Sequence, residues 1–182
     1  MTDVDRLFRD YHAALVRYLT RRLGDRDWAE EVAQETFVRA LRQLERGPLA
    51  SERAWLFAVA TNLVRDEARR DARRRRHLAL LTEQARDEQV EHESLTQEIA
   101  AEDAQHRARE AALARRAVDA LAERDRLALL MREEGLDYPE IAEALGLSVG
   151  SVGTTLSRAR RRLVEAYEAL AEARGTRRGE GR

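Results

Sequence analysis

Cysteine is absent from this chain, and that removes disulfides and thiolate metal sites together. The four histidines, His12, His77, His92 and His106, are scattered, so neither a structural metal nor a cofactor is expected. Only 2 prolines and 5% aromatic residues occur in 182 positions, a balance that favours helices over a sheet-rich fold. No apolar run approaches the roughly 20 residues that span a bilayer. The opening MTDVDRLFRDYH lacks the basic-then-apolar order of a signal peptide, which leads to the expectation of a cytoplasmic chain that is not membrane-inserted. An excess of one charge is missing too: 33 basic against 34 acidic residues leave −1, so the overall balance does not announce nucleic acid.

The charge that is present is segregated. Arg65 to Arg76 holds seven arginines against three acids, and Leu156 to Leu163 holds four arginines and no acid. Between them, Glu83 to Glu110 carries nine acids against three arginines. The basic blocks are candidate phosphate contacts, and the acidic block is not.

Apolar residues at helical spacing divide the chain. Leu7, Phe8, Tyr11, Leu15, Tyr18 and Leu19 give an amphipathic helix from Asp5 to Leu23, which Gly24 ends. A second helix, from about Asp27 to Leu44, has one apolar stripe through Ala29, Val32, Ala33, Thr36, Phe37, Ala40, Leu41 and Leu44, and a polar opposite face with Glu30, Glu31, Gln34, Glu35 and Arg39. Acids in its first turn also complement the helix dipole, by a few tenths of a kcal/mol each. After Gly47 and Pro48, Ser51 caps a third helix whose first half, around Trp55, is almost wholly apolar and whose second half is mostly arginine. Asn62, Asp66, Arg69 and Arg73 follow at spacings of four, three and four, a polar line leading out of the core. Such a line suits a nucleic-acid strand, with arginine on phosphates and the Asn amide on a base edge.

From His77 to about residue 111 the stripe fades into an acidic, Gln-rich linker with a coil-like span of about 30–35 Å. Periodicity returns from Ala112, through Leu113, Ala117, Val118, Leu121, Leu127, Leu129, Leu130 and Met131, and passes Gly135 into LDYPEIAEALGLSVGSVGTTLSRARRRL. There Ile141, Ala142 and Leu145 form a short helix with Pro139 in its first turn, Gly146 ends it, and Ser148 can cap a second helix. Val149, Val152, Leu156, Ala159 and Leu163 are expected inward, and Ser151, Gly153, Thr154, Thr155, Ser157, Arg158, Arg161 and Arg162 outward. This reads as a helix-turn-helix whose basic second helix fits the DNA major groove. The tail GTRRGEGR is expected to be disordered. The fold class is therefore all-α, two small helical domains joined by a linker: residues 1–76, a linker 77–111, a helix-turn-helix domain 112–173 and a tail 174–182.

In order and spacing these segments resemble the extracytoplasmic-function (ECF) sigma factors of the sigma-70 family. DRDWAEEVAQETFVRAL is similar to the region 2 helix that docks on core RNA polymerase, AWLFAVATNLVRDEARR to the part that engages the −10 promoter element, and residues 113–163 to region 4, which reads the −35 element. The resemblance implies a non-enzymatic initiation factor whose partners are the β and β′ subunits of polymerase core, promoter DNA and an anti-sigma regulator. Carried over by position, it implies that Asp27, Glu31, Gln34 and Glu35 dock on polymerase. It places Trp55, Asn62, Asp66, Arg69 and Arg73 at the −10 DNA, and Ser148, Ser151, Thr154, Ser157, Arg158 and Arg161 at the −35 DNA. Gly153 and Thr155 depart from the family, where a basic residue is common, so an unusual −35 readout is expected. The alternative is a helix-turn-helix regulator without sigma activity, which would need a sensing or dimerising N-terminal half.

Overall fold

The computed structural model describes residues 3–81 and 101–179, and among these it contains seven helices and no strand. They are α1 (Asp3–Leu23), α2 (Arg26–Leu44), α3 (Glu52–Leu81), α4 (Ala101–Asp119), α5 (Glu123–Glu133), α6 (Tyr138–Leu145) and α7 (Val149–Gly179). The central acidic linker, residues 82–100, and residues 180–182 lie outside the described residues. Helix α3 runs to Leu81 and α4 starts at Ala101, so regular helix enters the expected linker from both ends. Helix α7 likewise continues to Gly179, where a disordered tail was expected. The Ala, Glu, Leu and Arg residues that precede Gly175 are strong helix formers, and one further glycine costs about 1 kcal/mol at most.

One compact unit comprises Met1–Ala68 with Leu121–Arg162. In it α1 and α2 form a hairpin turned at Gly24, whose φ of 75° is in the left-handed region. Asp25 then caps α2, its carboxylate accepting from the Trp28 N–H at 3.1 Å. The core runs from Leu7, Leu15, Tyr18 and Leu19 through Ala29, Ala33 and Phe37 to Leu56, Phe57 and Ala60, and continues into Leu127, Met131, Leu136, Ile141, Val152 and Leu156. Helices α1 and α5 pack together, so the two helical regions share apolar surface in this unit. Tyr18 lies with its ring 5.0 Å from that of Phe57, and its hydroxyl shares a 2.8 Å hydrogen bond with the Thr61 hydroxyl, both groups buried.

The turn from α5 to α6 needs Gly135, at φ 84°. Helix α6 opens with a reciprocal cap: the Glu140 N–H donates to Asp137 Oδ1 and the Asp137 N–H to Glu140 Oε2, each at 2.8 Å. It closes at Gly146, with the Leu147 N–H donating back to the Ala142 carbonyl at 2.8 Å. The α7 stripe is shifted from the expected one. Val152, Leu156 and Ala159 are fully buried, but Val149 is 51% exposed and Thr155 is buried. Thr155 falls on the stripe because 152, 155, 156 and 159 are spaced i, i+3, i+4 and i+7, whereas Val149 occupies the first turn.

The second unit, Arg69–Ala120 with Leu163–Arg182, holds α4 and the second halves of α3 and α7. There Tyr167 donates to Glu110 at 3.4 Å.

Tyr18→Phe should lower the unfolding free energy by about 1–2 kcal/mol, because it strands the buried Thr61 hydroxyl. Urea unfolding checks this: the midpoint should fall with an unchanged slope, and an unchanged midpoint would show that the hydroxyl pair contributes nothing.

Candidate functional site

Helix α2 buries Ala29, Val32, Ala33, Thr36, Phe37 and Ala40, ends its apolar stripe in an exposed Leu41 and a half-buried Leu44, and leaves Asp27, Glu31, Gln34 and Glu35 exposed on its outer face. The Arg39 Nε donates to Glu35 at 2.8 Å one turn further on. Between α2 and α3 a shallow depression of about 190 Å³ is lined by Trp28, Glu31, Val32, Glu35, Leu63 and Glu67. At its edge the Trp28 Nε1–H donates to Glu67 at 3.3 Å.

On α3, Trp55 is half-buried and packs against the core, while Asn62 is exposed between buried Thr61 and buried Val64. Asp66 and Arg69 are exposed at the two following positions of the polar line. The backbone of Arg73 lies in α3, and its side chain falls outside the described residues. The line therefore begins where the buried half of α3 ends, as its spacing predicts.

The outer face of α7 carries Thr154, Ser157 and Arg161 exposed and Ser151 half-buried, and Ser148, just before the helix, is exposed. Ser151 and Thr154 donate their hydroxyls back to the carbonyls of Ser148 at 2.8 Å and Ser151 at 2.9 Å, which leaves their oxygens as acceptors. Gly153 lies beside Tyr138, where an added Cβ would be 3.6 Å from the ring, an ordinary contact. Arg158 is differently placed. Its Nη2 and Nε donate to the Asp125 carboxylate at 2.7 and 3.2 Å, and Arg162 Nη1 joins at 3.1 Å. The Asp125 side chain is 2% exposed, and these arginines, Arg158 first, hold its carboxyl below the usual range against the opposing effect of burial. Arg158 is thus first a clamp between α5 and the recognition helix, with 41% of its side chain still open to solvent.

Two further acids of α5 and its end were not singled out from sequence. Glu134 is buried, with Arg17 Nη2 at 2.8 Å and Arg21 Nη1 at 2.9 Å on its two oxygens, and Arg53 donates to the Glu134 and Gly135 carbonyls. Glu123 accepts from Arg65 Nε at 2.9 Å and from Arg22 Nη2 at 3.3 Å.

The sigma-70 region 2 family model matches residues 7–75, and the sigma-70 region 4 model residues 111–163. The RNA polymerase sigma factor YlaC of Bacillus subtilis is 34% identical over 162 residues, covering 86% of this chain and 87% of that protein. This chain belongs to the sigma-70 family of RNA polymerase sigma factors. The ECF RNA polymerase sigma factor SigE of Mycolicibacterium smegmatis is 30% identical over 170 residues, 90% of this chain and 61% of that protein. The sigma factor RpoE of Bartonella quintana, solved in complex with the anti-sigma factor NepR, shares the fold at a TM-score of 0.65 and 20% identity, over 92% of this chain and 98% of that one. The chain is an ECF-type sigma factor that binds polymerase core and promoter DNA and directs transcription initiation. The region 2 match covers the N-terminal half on which the regulator alternative depended. No described helix of this sigma factor is long and apolar enough to cross a membrane.

Asp125→Asn tests the clamp through pH. A carboxyl whose folded pKa lies below its ordinary 3.8 stabilises the fold above that pH, and this contribution is lost as pH falls through the folded value. Thermal midpoints taken between about pH 5 and about pH 3 should fall more steeply for the parent protein than for Asp125→Asn; parallel curves would reject the clamp.

Proposed function

We propose that this sigma factor docks on polymerase through the outer face of α2, captures an unstacked −10 base with Asn62, and lays the outer face of α7 in the major groove of the −35 element. The exposure of Asn62 between two buried neighbours carries the reading. The amide stands at the rim of a rigid helix rather than on a loop, so a flipped base meets a preorganised donor and acceptor. Unstacking costs a few kcal/mol, and the base-edge contacts offset that cost only once the strand has opened. Asp66, Arg69 and Arg73 continue the same path toward the arginine-rich end of α3, where phosphates would follow the base. Trp55, seven residues earlier and half-buried, lies on the same face of α3 as Asn62.

In the −35 reader, Ser148, Ser151, Thr154 and Ser157 offer short polar groups to base edges, and Arg161 offers a guanidinium to base or phosphate. Arg158 presents only the part of its fork that Asp125 leaves open. Thr155, being buried, is not a base contact, and Gly153 offers no side chain to one. Readout here therefore depends on hydroxyls more than on cations.

Docking, strand capture and groove reading make and break no covalent bond, so the catalytic step is the polymerase's. The place of action is the cytoplasm, with the polymerase and chromosome. An anti-sigma factor is the expected regulator, on the precedent of the RpoE–NepR complex.

Run-off transcription with bacterial core polymerase tests the whole reading: no promoter-specific transcript from any host genomic fragment would overturn it. Asn62→Ala should reduce permanganate-detected strand opening by roughly 5- to 100-fold, the worth of one bidentate base contact, while closed-complex affinity stays unchanged. Equal losses in both would remove Asn62 from the base pocket. Glu31→Lys with Glu35→Lys should weaken co-purification with core polymerase; unchanged core binding would remove these acids from the docking face.

A further inference from the structure

Two arginines converge on one oxygen beside the proposed −10 line. Arg65, three residues beyond Asn62, donates its Nε to Glu123 Oε1 at 2.9 Å, and Arg22 Nη2 approaches the same oxygen at 3.3 Å. Arg22 is the unusual member. Its side chain is 5% exposed, and Nη1 donates to the carbonyl of Thr61, the residue before Asn62, at 3.2 Å. Burial pushes its pKa down, with Tyr18 and Glu123 acting in the opposite sense. A guanidinium this far from water is costly without a counter-ion, so removing Glu123 creates a demand for another anion at the same point. Two converging guanidiniums are also the arrangement that holds phosphate oxygens. Glu123 is a replaceable occupant, since its own side chain is 46% exposed.

Promoter geometry requires the replacement. Two residues from Glu123, Asp125 holds Arg158 of the recognition helix. Cα atoms two apart are at most about 7 Å from each other. With both pairs made, the −10 helix and the −35 helix are tethered to one turn of α5. By their numbering the two elements are about 25 base pairs apart, on the order of 85 Å at about 3.4 Å per step. Both grips cannot act while Glu123 holds Arg65.

We infer that Arg22 and Arg65 form a phosphodiester-binding site beside Asn62, and that Glu123 fills it in the closed chain in the place of a promoter-strand phosphate. The inference rests on the −10 role proposed for α3. The carboxylate and the DNA strand compete for the same N–H groups, so the chain masks part of its own promoter grip until α5 leaves. The Arg17–Glu134–Arg21 cluster strengthens the closed arrangement from the other end of α5.

The test uses the full chain without polymerase and a fluorescent single-stranded dT oligonucleotide, a probe of phosphodiester binding that carries no promoter letters. Glu123→Gln should tighten binding several-fold at low salt. Adding Arg65→Gln in that background should remove the gain and reduce the slope of log affinity against log salt by about 0.7, the value for one phosphate contact on a single strand. Glu123→Gln binding no tighter than the parent, or a salt slope indifferent to Arg65→Gln, overturns the site. The charge-reversed pair Glu123→Arg with Arg65→Glu keeps closure measurable where a single variant is compromised: a donor–acceptor dye pair on α3 and α7 should report the parent distance in the reversed pair and a longer one in Glu123→Arg alone. Identical distances in all three overturn the masking. If Asn62→Ala leaves promoter opening intact while these changes are seen, the base-reading role fails and the phosphodiester site stands.

Discussion

Three carboxylates at the two ends of α5 decide how this arginine-rich chain is arranged. Glu123 and Glu134 hold arginines of the N-terminal region, and Asp125 holds arginines of the recognition helix. Two of the three acids, Asp125 and Glu134, are buried. Bringing a carboxylate out of water is expensive, and only several well-placed donors compensate. Each buried acid has two arginines, so α5 could not sit where it does beside a less basic α1 or α7.

The three pairings differ in what they constrain. Asp125 with Arg158 and Arg162 lies within the region 4 helices, and it fixes the angle at which α7 leaves the turn whether or not the N-terminal region is attached. The arginines of α7 are therefore divided between holding the reader rigid and touching DNA. Glu123 and Glu134 join the two regions and must release for promoter engagement. The outer face of α2 is exposed while both are made, so the proposed polymerase docking face is available before the chain opens.

Sequence periodicity revealed the stripes of α1 and α2, the change of character along α3, and the α6 turn at Gly146, because each depends on neighbours within a turn or two. Periodicity fails at the edges of the stripes: Phe8 and Leu41 fit the apolar pattern yet are 46% and 48% exposed, and Val149, in the first turn of α7, is exposed while Thr155 is buried. The family resemblance carried the docking acids and the two reading helices by position. What stayed hidden were pairings across 33 to 117 residues, such as Asp125 with Arg158 and Glu134 with Arg17, since a charge on a helix reveals nothing about its partner's address. One signal was there to use. Leu121, Asp125 and Ala128 share a helical face, and an acid set in an apolar stripe calls for a buried cation.

The two ends of α5 also set what it costs to open the closed chain. The Glu123–Arg65 pair is partly exposed, and such a pair contributes about 0–1 kcal/mol, further reduced by salt, whereas Arg22 on the same oxygen is 5% exposed and needs an anion throughout. At the other end the Glu134 side chain is 3% exposed and holds two arginines, so it cannot lose one without leaving charge in a poorly solvated place. Each end of α5 therefore holds one charge that cannot be left without a partner, Arg22 at one and Glu134 at the other. Arg22 and Arg65 lie next to the proposed base-reading residue. A DNA strand arriving there supplies the anion that Arg22 needs at the moment its carboxylate leaves. Promoter capture and opening of the chain are then a single exchange of anions, with the remaining cost concentrated at Glu134.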